Sequence, residues 1–359
     1  MAEYEIPFGA VHPGSANFSV RVRVEGERVV GARAIPGYLH RGFEKLMEYR
    51  TPVQNAVLSD RLCVLEPLAW NLVHAETVEQ LREVEIPEKA KYIRVLLAEL
   101  SRIQSHMIWY GALSMGLGFG TGFHIVFGYR DYILDIFEMI TGGRVYPAGY
   151  ICPGGVRKDL PSGFKEKITE VLQQVENLIP KLENPTMKAR LRGVGVLKLE
   201  DAIALGATGP VLRASGLAAD VRKDDPYEAY DQLDFLVPTE QAGDAYSRYR
   251  IGVREIEQSA NIIRQVLQKI PDTELQPIVP KGADKIPAGE TYVRNEVARG
   301  EAAMYMAGDG TSKPYRCKIR GPSLPHAVTV LEHLLRDCQI ADVPAIYWSL
   351  NPCPADMDR

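Results

Sequence analysis

The sequence predicts an α+β fold that is mainly helical, a bundle of long helices carrying small antiparallel sheets from the N- and C-terminal parts of the chain. Two long stretches, 88–115 and about 242–269, repeat apolar residues at helical spacing. Period-two alternation is confined to the two ends of the chain. The 359 residues are 46% hydrophobic and 25% charged, the balance of a globular chain with ample material for a core.

Taken in order, Phe18 to Val24 alternates apolar and polar residues, Gly-Glu-Arg turns the chain, and Val29 to Ile35 returns as the second strand of a hairpin. From Gly42 the pattern is helical. Between Glu88 and Met115, the residues Ile93, Leu96, Leu97, Leu100, Ile103 and Met107 share a face, and Pro87 stands at the first turn. The glycine-rich GLGFGTGF (116–123) interrupts the pattern, which resumes from Ile125 to Ile140. That segment follows a helix rather than a strand, so it lacks the context of a dinucleotide phosphate loop. A Pro/Gly stretch then leads to a helix over Phe164–Leu182, and Arg192–Gly216 is Gly-punctuated with a short helix inside. Three strands are expected at Thr291–Val297, Ala302–Ala307 and Tyr315–Ile319, and a last helix at Pro325–Asp337. There is no internal repeat. The expected division is one domain over 1–359: hairpin 1–36, helical bundle 37–290, β region 291–322, and C-terminal helix with pocket segment 323–359.

A net charge of -4 gives no electrostatic footprint for nucleic acid, and Arg213, Arg222 and Lys223, interleaved with acids, read as ordinary surface. No stretch approaches the roughly 18 apolar residues of a spanning helix. The N-terminus lacks a basic-then-apolar signal, so a cytoplasmic protein touching a membrane only through partners is expected. Five scattered cysteines argue against a disulfide framework and for a reduced compartment.

Two short stretches carry chemistry: Asp60-Arg61-Leu62-Cys63-Val64-Leu65-Glu66, and Asn351-Pro352-Cys353-Pro354-Ala355-Asp356. Each places a cysteine three residues before a carboxylate, which on a helix puts both groups on one face. Two such pairs meeting in space would offer two soft and two hard ligands, or a pocket with acid/base capacity. The competing reading is a buried free cysteine beside a surface acid, and spacing does not choose between them. Arg61 precedes the first cysteine and would stabilise a thiolate or an anionic ligand, or else serve a structural ion pair. Cys152, Cys317 and Cys338 read as core or surface. His106, His326 and His333 show no metal-ligand spacing and read as core or cap residues, whereas His74 and Glu79 are expected on a helix surface.

Longer motifs add a resemblance. GYLHRGFEKLMEYRTPVQN (37–55), KYIRVLLAELSRIQSHMIW (91–109), PGGVRKDLP (153–161), TGPVLRASGLAADVRKDDPYEAYDQLDF (208–235), PYRCKIRGPS (314–323) and the closing Met357-Asp358-Arg359 are similar to the large subunit of the [NiFe]-hydrogenase/complex I superfamily. In hydrogenases of that family two CxxC motifs hold the metals; they fall on Cys63/Glu66 and Cys353/Asp356. The chain keeps the first cysteine of each pair and has a carboxylate for the second, with Asn351 where an aspartate is usual. The resemblance therefore implies no intact NiFe centre, since carboxylates are harder ligands than bridging thiolates. The quinone-contacting tyrosine of complex I falls on Val64, and its histidine on or beside Ala16, with His12 more in keeping with a loop residue.

The branch this most resembles is that of the membrane-bound sulfane sulfur reductases of sulfur-reducing archaea. It implies catalytic roles for Cys63, Glu66, Cys353 and Asp356, and a ligand-binding role for Arg61. His40, Arg41 and Glu44, in the HRGFEK loop, would couple redox state to pumping or merely fix an interface. It also implies a small iron–sulfur partner with a [4Fe-4S] cluster, other hydrophilic electron-transfer subunits, antiporter-like and anchor membrane subunits, and ferredoxin as donor, on the cytoplasmic side of the membrane. The alternatives are a hydrogenase with a modified metal site, a quinone-reducing subunit, and a non-catalytic scaffold linking redox and membrane arms.

Overall fold

The computed structural model describes residues 3–9, 17–275 and 285–359; His12 and Ala16 lie outside the described residues. The N-terminal sheet has three antiparallel strands, β1 (Glu3–Phe8), β2 (Ser19–Glu25) and β3 (Arg28–Ile35), in that order. Val20, Val22 and Val24 point inward and the charged residues between them point out, as alternation requires. β1 goes beyond the expected hairpin; its Pro7 marks it as an edge strand, where a missing amide is tolerated.

The helical part opens with α1 (Phe43–Glu48) and α2 (Pro52–Ser59), the latter held by a Thr51/Gln54 capping box. α3 (Pro67–Arg82) starts on a proline at its first position. α4 (Glu88–Gly116) is 29 residues long and is the spine of the molecule. It is buried nearly all round from Ala90 to Leu113, packed by α3, by α5 (Gly120–Thr141) and by later helices, so it has no continuous polar face. α5 begins inside the glycine segment, five residues before its expected start.

The Pro/Gly stretch folds as a small hairpin, β4 (Ile151–Cys152) with β5 (Gly155–Val156), and α6 (Phe164–Leu182) follows as its periodicity predicts. After α7 (Pro185–Leu191), the expected single short helix of 192–216 is two, α8 (Leu199–Ala204) and α9 (Gly209–Arg213), followed by α10 (Val221–Asp224). α11 (Ala245–Lys269) starts three residues later than expected because Asp244 caps it, accepting the Ser247 amide at 2.7 Å. α11 crosses α4 at Gly252, where a Cβ would lie 2.2 Å from the Trp109 ring. Only a glycine permits that approach.

The C-terminal sheet is antiparallel with order β6 (Gly289–Val297), β7 (Gly300–Gly308), β8 (Arg316–Arg320). The expected last helix is broken into α12 (Ser323–Pro325), a π-helical stretch His326–Val330, and α13 (Leu331–Leu334). It stops short because Asp337 takes a positive φ and gives its amide to Val29, tying this end of the chain to β3. Two further short helices, α14 (Val343–Ser349) and α15 (Pro354–Asp358), each have proline in the first turn. Besides the large core around α4, a second apolar cluster contains Phe43, Leu62, Trp70, Val297, Met304 and Ile319, together with Cys63 and Cys353.

Burial corrects several expectations. Arg213 and Arg222 are fully buried rather than surface residues, and so are His74 and Glu79. Glu79 is paired with Arg94 at 2.5 Å, and Arg94 also takes Glu228 at 2.7 Å. A buried charge survives only with such partners. No helix among the described residues is long and apolar enough to cross a membrane.

Candidate active site

Cys63 stands in the turn between α2 and α3, not on a helix: the Glu66 amide returns to the Cys63 carbonyl at 3.2 Å, and Pro67 then starts α3. Asp60 anchors this turn, accepting the Gly149 amide at 3.0 Å and Arg61 at 3.2 Å. Burial pushes its carboxyl up to about 6 against the donors that favour its charged form. Cys353 is the residue just before α15; its amide is held by the Ser323 hydroxyl at 3.0 Å, and Asn351 before it turns the chain through a positive φ. The i, i+3 reading thus needs correction, since neither cysteine–acid pair lies along a continuous helix.

The two segments nevertheless meet. Cys63 Sγ lies 3.3 Å from Cys353 Sγ, although 290 residues separate them, and both are buried. An Asp356 oxygen is the third member, all three atoms lying within 4.8 Å of one another. Glu66 is turned aside: both its oxygens accept from the Ala298 amide, at 2.9 and 2.8 Å, and one lies 3.3 Å from the Arg299 guanidinium.

Arg299 is the cation of this site, and sequence reasoning missed it. It lies in the turn joining β6 to β7 and is fully buried, with Nε and Nη2 making no hydrogen bond among the described residues. Cys63, Cys353, Glu66 and Asp356 together hold it charged against its burial. Gly300 makes this placement possible: its φ is +129°, and a Cβ there would lie 2.5 Å from Thr208 Oγ1. An arginine before glycine at a hairpin tip looks like solvent-facing turn chemistry. The one local warning is the apolar run on either side, Val297-Ala298 and Ala302-Ala303.

Arg61, by contrast, does not serve the thiols. It donates to the Val57 carbonyl at 2.8 Å, pairs with Asp60, and stacks over the Tyr146 ring at 4.8 Å. Val64, next to Cys63, is exposed. The HRGFEK loop binds the end of the chain. Arg41 donates to the Arg61 carbonyl at 2.7 Å and to the Ala355 carbonyl at 3.0 Å, clamping the two cysteine segments together. His40 Nδ1 donates to the Asp358 carbonyl at 2.8 Å. Glu44 accepts the Ile319 amide at 3.0 Å and pairs with Arg316 and Lys318 at 3.3 and 3.1 Å. These three residues therefore hold the C-terminal segments in place within this chain.

The electrostatics follow from burial and pairing. The Cys63 thiol is raised by burial and by its hydrogen bond to Cys353. Accepting that bond lowers Cys353 to about 6, aided by Arg299. One thiol and one thiolate is the state both shifts describe. Burial and the Cys353 charge push Asp356 up to about 8, so it holds a proton at neutral pH; Ser323 approaches it without completing a well-formed hydrogen bond. Glu66 is raised by burial to about 7, against the pull of Arg102 and Arg299. Beyond Arg102 the buried charges continue: Arg102 with Glu99 at 3.3 Å, Arg222 with Glu99 at 3.1 Å and Asp220 at 2.7 Å, and Arg213 with Glu296 at 2.8 Å and with Glu255. Glu255 in turn takes His106 at 2.7 Å, so His106 is a paired core histidine. His326 is also in the core, accepting the Thr208 amide, whereas His333 faces Asp201 at the surface. Burial raises Cys317 and Cys338 to about 12 and also raises Cys152, the environment of inert thiols.

Comparison with known proteins accords with this architecture. The family model described as respiratory-chain NADH dehydrogenase, 49 Kd subunit, matches residues 116–281 and 277–359, and that of nickel-dependent hydrogenase matches 41–117. The chain is 42% identical to an NADH-quinone oxidoreductase subunit of Thermosipho melanesiensis, covering 100% of both chains. It is 39% identical to an F(420)H(2) dehydrogenase subunit of Methanosarcina mazei over 99% of this chain and 98% of that one. A solved structure, that of the membrane-bound sulfane sulfur reductase, an archaeal respiratory membrane complex, contains a chain 42% identical to this one, with a TM-score of 0.93 over 99% of this chain and 98% of that one. With a matching fold and matches along its whole length, the chain belongs to the family of the 49 Kd subunit of respiratory-chain NADH dehydrogenase, oxidoreductase subunits related to nickel-dependent hydrogenases.

Proposed function

We propose that the chain is the large subunit of a ferredoxin-linked, membrane-bound, ion-pumping respiratory complex and that sulfane sulfur is reduced at the Cys63/Cys353 pocket. The observation that carries this reading is the donor set: two thiols 3.3 Å apart with Asp356 beside them and Arg299 facing them. A dinuclear nickel–iron centre held by four thiolates does not fit these residues. Two of its positions are carboxylates, and Glu66 is already committed to the Ala298 amide and Arg299. A buried cation beside soft sulfur suits instead an anionic, sulfur-rich substrate such as polysulfide. The likeness to a chain of the sulfane sulfur reductase, with a TM-score of 0.93, supports the same reading.

In this reading electrons reach the pocket from a [4Fe-4S] cluster held beside it by a small partner protein. Other hydrophilic subunits carry them from ferredoxin, and antiporter-like and anchor subunits make up the membrane arm, with this chain on the cytoplasmic side. The protein's own residues hold the substrate by charge at Arg299 and keep a proton at Asp356. The test is oxidation of reduced ferredoxin by the purified complex, with and without polysulfide. Acceleration by polysulfide with sulfide as product is expected. No acceleration would overturn the reading and direct attention to quinone acceptors.

A further inference from the structure

We propose that Cys63 and Cys353 form a thiol–disulfide couple that itself attacks sulfane sulfur, so that two electrons pass through this pair rather than directly from the partner's cluster to the substrate. The inference deepens the sulfur-reduction reading and rests on it.

Three features of the site carry it. First, the sulfurs stand 3.3 Å apart, so a disulfide of about 2.05 Å requires them to close by only ~1.2 Å. Second, the pair is asymmetric: Cys63 donates its S–H to Cys353 Sγ, leaving Cys353 as the nucleophile and Cys63 as the resolving thiol. Third, Arg299 faces both sulfurs, with two guanidinium nitrogens making no hydrogen bond among the described residues and so available to an anion that bridges to the pair. Among the described residues, Cys63 and Cys353 alone of the cysteines are in sulfur–sulfur contact.

The chemistry balances with tetrasulfide as substrate. The Cys353 thiolate attacks a terminal sulfur; one S–S bond forms, one breaks, and trisulfide dianion leaves, so Cys353 carries a persulfide anion. Cys63 then attacks Cys353 Sγ, forming the Cys63–Cys353 disulfide and expelling the outer sulfur. The Cys63 proton goes to that sulfur, which departs as HS⁻. The two cysteines have lost two electrons and the sulfane sulfur has gained them. Two electrons from the partner's iron–sulfur cluster and one proton from solvent restore Cys63 as thiol and Cys353 as thiolate. The net change is tetrasulfide dianion plus two electrons and one proton giving trisulfide dianion and HS⁻.

The test uses the whole complex, purified without oxygen. Sodium tetrasulfide added with no electron donor should release one sulfide per complex in a burst. It should also leave a Cys63–Cys353 cross-link in peptide mapping, which reduced ferredoxin then removes. In turnover, Cys63→Ser and Cys353→Ser should each lower polysulfide-dependent ferredoxin oxidation more than about tenfold. Cys63→Ser alone should trap one extra sulfur on Cys353. If both variants keep the wild-type rate, the couple is overturned while sulfur reduction stands, at the cluster itself. If the wild type shows no polysulfide-dependent oxidation, the functional reading fails instead. If a variant does not assemble, the burst and cross-link in the wild type decide the matter, their absence overturning the couple. Stoichiometric nickel or zinc that disappears with Cys63→Ser would also overturn it, since the sulfurs would then be ligands.

Discussion

Around Arg299 one guanidinium serves two thiols and two carboxyls, and all five groups are buried. Removing the cation strands its partners, which must then take up protons or carry uncompensated charge in a low-dielectric interior. Arg299→Met is expected to destabilise the chain by about 3–5 kcal/mol, the cost of breaking a buried pair from one side. It should also raise the pH at which Cys353 becomes a thiolate. Arg299→Lys should recover part of both effects, because it keeps the charge but loses the forked geometry. Thermal unfolding, together with the pH profile of Cys353 alkylation, measures this; an unchanged alkylation profile in Arg299→Met would show that the arginine does not hold the thiolate.

At the scale of elements, the packing of the core depends on how closely α4 and α11 approach. Their crossing is set by Gly252 against Trp109, whose indole nitrogen also reaches the Trp348 carbonyl on α14. Gly252→Ala puts a methyl 2.2 Å from the ring, so the helices must separate or Trp109 must rotate. A loss of about 1–3 kcal/mol is expected, as for overpacking elsewhere, despite alanine's better helix propensity. A lowered melting temperature checks this, whereas a raised one would mean that propensity outweighs the clash. The same crossing encloses Glu99, which accepts from Tyr230 and Ser259 at 2.6 Å and pairs with Arg102 and Arg222. A helix such as α4 can bury charge on every side only because its neighbours supply the partners.

Across the whole molecule, segments near the two ends of the chain converge on one buried site. The N-terminal sheet is tied to the segment after α13, Glu44 ties α1 to β8, and Arg41 joins the carbonyl of Arg61 to that of Ala355. Arg41→Ala removes two of these bonds, each contributing about 1 kcal/mol. It should leave the fold intact while loosening the register of Cys63 against Cys353. The expected outcome is a severalfold lower yield of Cys63–Cys353 cross-link under a mild thiol oxidant, with little change in secondary structure by circular dichroism. An undiminished yield would mean that the apolar cluster around Phe43 and Trp70 holds the segments by itself.

Much was legible in the sequence because it is written locally. Helical period over 88–115 and 164–182, alternation at 18–24 and the three C-terminal strands mark elements whose signals lie within a few residues, and the structure places elements on all of them. Cys63, Cys353 and Asp356 could be nominated because their segments match a family's motifs. What only the tertiary structure decided is which groups face one another. Whether an arginine is surface or core depends on partners that other elements bring to it, such as Glu255 and Glu296 for Arg213, Glu99 for Arg222 and Glu66 for Arg299. Hence Arg213 and Arg222 read as surface and Arg299 was missed, while Arg61 looked like the cation of the thiols. Glu66 and Asp356 occupy equivalent places in their motifs, yet one is committed to the Ala298 amide and the other remains with the sulfurs. Periodicity records which face of an element is apolar; charge pairing is a long-range property, decided by the folding of distant segments against each other.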